Sequence, residues 1–245
     1  MSATRDSPTT GFVADTVSFS NVDGPGNRFV VFLQGCNFNC VACHNPQTIP
    51  GHGPVEGFHP EHLEVGDVVA QIRKAAPFIS GVTASGGEAT GQESFVWQLF
   101  EAVKTDPELA DLTCFVDSNG ACALRVWDRM APLLDGVMID LKCFDPVIHE
   151  QMTGVANAPV LASIRHLQKL GLLYEVRLLF LSGVNDDPAL VRATGEWLAA
   201  VDPTMRLKVI GFRSHGTRPH DPPLVEPAPA ELVACADILT SVAPF

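Results

Sequence analysis

Phe29-Val-Val-Phe-Leu33-Gln-Gly-Cys36-Asn-Phe-Asn-Cys40-Val-Ala-Cys43-His-Asn45 joins a strand signal to a ligand signal. Its first five residues are an uninterrupted apolar run, which suits a strand buried on both faces. The loop that follows holds Cys36, Cys40 and Cys43, spaced C-x3-C-x2-C. Three thiolates this close in sequence can converge on one soft metal centre. An iron–sulfur cluster of four irons takes four cysteines when protein holds every iron. Three would leave one iron open, as a catalytic zinc keeps one position free. A zinc site completed by His44 is the competing reading. His44 directly follows Cys43, however, and adjacent residues rarely turn toward one ion. Structural zinc sites usually come as two separated pairs, and no second pair exists here. The chain has seven cysteines, an odd number, which argues against a disulfide framework. The spacing therefore points to a [4Fe–4S] cluster with one reactive iron, ahead of zinc.

Upstream of this stretch, residues 13–19 alternate and predict a short strand, and Gly24-Pro25-Gly26 marks a turn. Residues 1–11 read as a loose tail. Downstream, residues 46–64 are rich in Gly, Pro and His and read as loop. Apolar periodicity then predicts helices over 65–76, 95–104, 123–134, 160–170, 189–200 and 229–242. Strands are predicted over 79–84, 112–116, 136–139, 174–181 and 206–212. Counting 29–33, the order is about six repeats of strand then helix, which argues for parallel strands joined by right-handed crossovers. Six units fall short of a closed eightfold barrel. The expected fold is α/β, a partial (β/α)6 TIM-type barrel in a single domain over 1–245, with a flat doubly wound sheet as the alternative.

The totals narrow the function classes. Sixteen basic against 28 acidic side chains give a net charge of −12, which disfavours a nucleic-acid partner. No run approaches the ~18 apolar residues of a membrane span, and residues 1–10 are polar with no apolar signal-peptide core. Cysteine usage fits a reducing cytosol, so the expected location is cytoplasmic. Cys114, Cys122, Cys143 and Cys235 are scattered and read as core fillers.

The polar motifs fall at or just past the ends of predicted strands. They are the cysteine loop, Ser85-Gly86-Gly87-Glu88, Asp117-Ser118-Asn119-Gly120, Asp140-Leu141-Lys142 and His215. In parallel α/β folds that edge is where ligands bind. Each signal is weak alone. A Gly-Gly is usually a turn, though it lets backbone come very close to a ligand. Asp117 and Asp140 suit a cation, a hydroxyl partner or an acid/base pair, and two helix N-caps account for each equally well. Arg177 inside an apolar strand is costly unless paired, and a salt bridge to a core Asp is the simplest account. His215 alone is an ordinary surface histidine. Polar groups from so many loops on one rim are hard to explain by core packing.

Taken together, the cysteine loop with Cys43-His44-Asn45, Asp23-Gly24-Pro25-Gly26 with Arg28, Ser85-Gly86-Gly87-Glu88-Ala89, Val116-Asp117-Ser118-Asn119-Gly120 and Asp140-Leu141-Lys142 resemble the radical SAM superfamily. Within it they resemble activating enzymes of glycyl radical enzymes, of the pyruvate formate-lyase activating enzyme type, in a YjjW-like branch without its ferredoxin-like insert. The resemblance covers most of residues 19–215. It implies a cluster on Cys36, Cys40 and Cys43 whose open iron is chelated by S-adenosylmethionine. One electron then splits off a 5′-deoxyadenosyl radical, which takes a hydrogen from a glycine of a partner enzyme.

The same resemblance assigns Gly86, Gly87 and Glu88 to the methionine amino group. Lys142 in Asp140-Leu141-Lys142 contacts the cofactor, and Arg177 lies near its carboxylate. His215 meets the nucleoside, and backbone around Ala42, Cys43 and His44 holds the adenine. It places Asp23–Gly26 near the site and the partner's peptide. It also suggests a monovalent cation at Asp117, Ser118, Met138 and Asp140. Two departures stand out: Ala89 where many members have Pro, and Ala42 where an aromatic residue often packs by the adenine, which leaves Phe38 to help. Close relatives often carry further cysteines in an insert, but none lies between Cys43 and Cys114. One cluster and an external donor, a reduced flavodoxin or ferredoxin, are therefore expected, in a monomer. Because the net charge would repel such acidic donors, a local basic patch including Arg28 is expected near the cluster. A radical SAM enzyme acting on a small molecule, a structural zinc protein and a passive electron carrier are the rival readings.

Overall fold

The apolar run before the cysteines is the first parallel strand of a single sheet. The computed structural model describes residues 9–51 and 57–245. In chain order the elements are β1 (Thr10–Ser20), β2 (Arg28–Leu33), β3 (Glu61–Glu64), α1 (Val65–Ala75), β4 (Gly81–Gly86), α2 (Glu93–Thr105), β5 (Thr113–Ser118) and α3 (Leu124–Met130). They continue with β6 (Gly136–Leu141), α4 (Pro146–Thr153), α5 (Ala158–Lys169), β7 (Leu173–Phe180), α6 (Pro188–Val201), β8 (Leu207–Gly211) and α7 (Pro229–Val242).

The sheet order is β3-β1-β2-β4-β5-β6-β7-β8. Every pairing from β2 to β8 is parallel. β1 lies antiparallel on β2, and β3 antiparallel on β1. β3 and β8 are the two ends of the sheet, so the barrel stays open. This is the partial six-unit barrel that strand–helix alternation predicts, with a two-strand extension.

The packing follows the sequence pattern. Phe29, Val30, Val31 and Leu33 of β2 are all buried, as a strand covered on both faces requires. The apolar stripe of α1, Val68, Val69, Ile72 and Ala75, closes over the same core. Trp127 of α3 donates to Ser163 Oγ of α5 at 2.9 Å, and Ser163 donates to the Gly120 carbonyl at 2.6 Å. Two helices are thereby tied to the loop after β5. Among the described residues no helix is long and apolar enough to cross a membrane.

Three expectations change. Of the residues read as a tail, 1–8 lie outside the described residues, while Thr10 and Gly11 belong to β1. Gly11 packs on Phe95, whose ring a Cβ there would meet at 2.6 Å. The segment read as loop, of which 52–56 lie outside the described residues, ends in β3. Its backbone pairs with residues 10–13 of β1, which stabilises a strand its charged sequence does not advertise. Helix α4 was not expected, although its caps are strong. Asp145 accepts from the backbone N–H of Val147 and Ile148, both at 2.9 Å, Pro146 opens the helix, and Gly154 closes it at φ +78°.

Candidate cofactor site

The cysteine loop is pinned on three sides. Gly35 and Cys36 donate backbone N–H bonds to the Thr48 and Ile49 carbonyls, at 2.8 and 3.0 Å. Asn39 and Val41 donate to the Thr153 and Met152 carbonyls at the end of α4, at 2.8 and 2.9 Å. Arg218, from the loop after β8, donates to the Cys40 carbonyl at 3.0 Å. Phe38 is buried between the cysteines and meets the His149 ring edge to face at 5.8 Å. The backbone thus fixes the loop while Cys36, Cys40 and Cys43 stay half-buried along the wall of a cavity of about 280 Å³.

The glycine pair forms the next wall. Gly87 and Glu88 donate backbone N–H bonds to the Leu33 and Gly35 carbonyls, both at 2.8 Å. A Cβ on Gly86 would lie 2.1 Å from the Leu33 nitrogen, and one on Gly87 would lie 2.3 Å from the Gly35 oxygen. Only glycine lets the ends of β2 and β4 come this close. Glu88 is buried, and its carboxylate is already engaged. It accepts from Thr90 N–H and Oγ at 2.9 and 2.7 Å, from Ser118 Oγ at 2.7 Å and from Asn119 N–H at 2.8 Å. Burial pushes its carboxyl above the ordinary range, against the pull of those donors. Glu88 therefore ties the β4 loop to the β5 loop.

Opposite the cysteines stands a charged set. Arg177 Nη1 lies 2.8 Å from Asp117 Oδ2, and its Nε lies 3.0 Å from Glu175. Its Nη2 reaches Met138 Sδ at 2.9 Å and the Val22 carbonyl at 3.1 Å. The segment before β2 thus touches this residue of the cavity wall. Lys142 Nζ lies 2.7 Å from Asp140 Oδ2. Asp140 and Arg177 are in register across β6 and β7. Burial, with the neighbouring carboxylates of Asp140 and Asp23, pushes Asp117 up to about 7, against the guanidinium of Arg177. Burial works to lower Arg177 and Lys142. Asp117 and Asp140 outweigh it for Arg177, and Asp140 and Cys40 do so for Lys142, so both stay cationic.

Most residues predicted for the site come together here. Cys36, Cys40, Ala42, Cys43, His44, Gly86, Gly87, Glu88, Asp117, Ser118, Asp140, Lys142 and Arg177 all line the cavity. Phe38 does too. Two do not. Leu141 points into the hydrophobic core, as strand alternation between Asp140 and Lys142 requires. His215 is exposed, although the next residue, Gly216, lies so near the cysteine loop that a Cβ there would be 2.7 Å from the His44 carbonyl. Arg28 is not part of a basic patch. It is buried at the other end of β2 and donates to Thr83, Thr113, Val82 and Pro25 oxygens at 2.6–3.1 Å. Sequence reasoning missed Asn119, Met152 and Thr48 in the cavity wall. Asn119 sat inside a motif already singled out, whereas Met152 required α4.

The donor set suits an iron–sulfur cluster. Three soft thiols share one wall with no hard oxygen donor among them. Among the described residues, no three His, Cys, Asp or Glu are placed to hold a single metal ion. A cluster differs, because each cysteine binds a separate iron. Burial pushes Cys36 up to about 12 and raises Cys40, so thiolates there need a cationic partner.

Comparison with known proteins agrees. The Radical SAM superfamily model matches residues 30–192. A pyruvate formate-lyase-activating enzyme of Streptococcus mutans is 32% identical over 212 residues, 84% of this chain and 79% of that protein. A Haemophilus influenzae protein, provisionally named a glycyl-radical enzyme activating enzyme, is 34% identical over 229 residues, 82% of each. Among solved structures, a radical SAM methyltransferase from Sphaerobacter thermophilus superposes with a TM-score of 0.67 at 16% identity, over 88% of this chain and 64% of that one. Rim, cavity and relatives converge: the chain belongs to the radical SAM superfamily, and within it to the activating enzymes of glycyl radical enzymes.

Proposed function

We propose that this protein installs a glycyl radical on a partner enzyme. The observation that carries the reading is the sharing of one cavity by three cysteines of a single loop, a glycine pair and a set of two carboxylates and two cations. Cys36, Cys40 and Cys43 would hold a [4Fe–4S] cluster, which together with S-adenosylmethionine would supply the electron and the radical chemistry that takes a hydrogen from the partner's glycine. The protein's own task is positioning and exclusion of water.

Arg177 suits the methionine carboxylate, since a guanidinium grips carboxylate with two N–H bonds, and Lys142 contacts the cofactor beside it. Because Glu88 is consumed by its neighbours, the amino group falls to backbone at Gly86 and Gly87. The cysteine-loop backbone from Ala42 to His44, with Phe38, takes the adenine, and His215, next to the Gly216 that packs on the His44 carbonyl, is the residue for the nucleoside. Arg177 and Lys142 engage Oδ2 of Asp117 and Asp140, so a monovalent cation at Asp117, Ser118, Met138 and Asp140 would take Oδ1 of each carboxylate. S-adenosylmethionine affinity that rises with potassium or sodium supports that site, and affinity indifferent to both counts against it.

The whole chain acts as one domain, a cytoplasmic monomer fed by a reduced flavodoxin or ferredoxin. The basic ground for that donor lies at Arg213 and Arg218, exposed on the loop over the cysteines. Glu226 offsets Arg213 at 3.1 Å, which leaves Arg218 as the stronger contact. The test is anaerobic incubation of the reconstituted protein with S-adenosylmethionine, dithionite and a glycyl radical enzyme. An electron paramagnetic resonance doublet on the partner is expected. Cofactor cleavage with no radical on any such partner would favour a small-molecule substrate.

A further inference from the structure

Asn119 sits outside the roles given to its motif, yet its side chain aims an N–H donor at the sulfur of Cys36. Its Nδ2 lies 3.8 Å from Cys36 Sγ, and the backbone N–H of Phe38 lies 3.4 Å from the same atom. The side chain has little freedom. Nδ2 also meets Asn37 Oδ1 at 2.7 Å, Oδ1 accepts from Ala121 N–H at 2.9 Å, and the residue's own N–H is held by Glu88. Asn119 is buried against the cavity. The amide dipole is therefore fixed with its positive end toward one particular sulfur.

We propose that Asn119 is a positioning residue that raises the reduction potential of the cluster through its hydrogen bond to Cys36. The inference rests on the cluster reading above. A donor to a thiolate sulfur draws electron density from it. The reduced cluster carries one more negative charge, so the donor favours reduction. Cys36 receives two such donors. They come from the Phe38 backbone and the Asn119 side chain. The Asn119 contribution acts at the Cys36 corner, and it is set by the loop after β5.

The test is an anaerobic redox titration of the reconstituted protein without S-adenosylmethionine, followed by electron paramagnetic resonance. Asn119→Leu keeps the bulk and removes the donor. It should lower the reduced-to-oxidised ratio at a fixed potential by roughly tenfold, which for a one-electron couple is a 59 mV shift to more negative values. Asn37→Ala breaks the Asn37 clamp but leaves the donor to sulfur, and should leave the potential unchanged. Asn119→Asp keeps the shape and the bond from Ala121 and should shift the potential at least as far as Leu. A wild-type potential in either Asn119 variant overturns the proposal, as does an equal shift in Asn37→Ala. Failure of both Asn119 variants to load a cluster, with the wild type loaded, also overturns it, because it assigns Asn119 to structure alone. A wild type that takes up no iron and sulfide overturns the cluster reading instead.

Discussion

Glu88 shows how a residue's partners decide its role. Its motif suggests a carboxylate free to grip an amino group, but four donors already surround it. Its measurable effect should therefore be structural. Glu88→Gln sets an amide NH2 against a backbone or hydroxyl donor, at a cost on the order of 2–3 kcal/mol. For a chain of this size that lowers the melting temperature by about 5–10 °C. Calorimetry of the cluster-free variant checks it, and an unchanged melt would return Glu88 to direct cofactor binding. Gly87→Ala is expected to act on the loop. The new methyl meets the Gly35 carbonyl, so iron and sulfide uptake should fall at least tenfold while far-ultraviolet circular dichroism stays native. Full uptake would mean that the close approach is not required. At this scale the sequence was legible wherever residue type alone limits the outcome, as for the cysteines and glycines. It was opaque for Leu141 and Arg28. Leu141 follows its strand's alternation into the core, and Arg28 is buried by partners up to 85 residues away.

Among elements, α4 matters most to the site. It presents the Met152 and Thr153 carbonyls to the amides of Val41 and Asn39, and so shapes the loop before any metal arrives. In cluster-free protein those two amides should exchange with deuterium at least 100-fold more slowly than the exposed amides of the loop after β8. Exchange at the rate of exposed amides would show that the loop is organised by metal instead. The helix escaped the sequence reading because its eight residues carry only a short apolar pattern, although Asp145, Pro146 and Gly154 punctuate it clearly. β3 escaped for another reason: its Glu-His-Leu-Glu sequence has no strand pattern, and only pairing with β1 makes it one. The parallel strands were legible because burial on both faces demands long apolar runs.

The whole molecule carries a net charge of −12, so an acidic electron donor meets overall repulsion and needs local relief. The proposed place for that relief is Arg218, over the cysteine loop. Arg218→Glu should slow reduction by flavodoxin about tenfold at low salt, while reduction by dithionite stays within about twofold, since steering of a large charged partner depends on local potential. Equal slowing with both reductants would assign Arg218 to the loop alone. The open six-strand barrel was readable from the alternation of strands and helices, because that order permits few topologies. The location of the basic ground was not readable, because charge on a surface is placed by the fold.

The central claim is that Cys36, Cys40 and Cys43 hold a cluster whose open iron engages S-adenosylmethionine. The most direct measurement is anaerobic chromatography of products after the reconstituted protein is reduced with S-adenosylmethionine present. The wild type should yield methionine and 5′-deoxyadenosine in equal amounts, and Cys40→Ala should yield neither. A cluster-loaded wild type that leaves the nucleotide intact, or a Cys40→Ala variant that still cleaves it, would contradict the account.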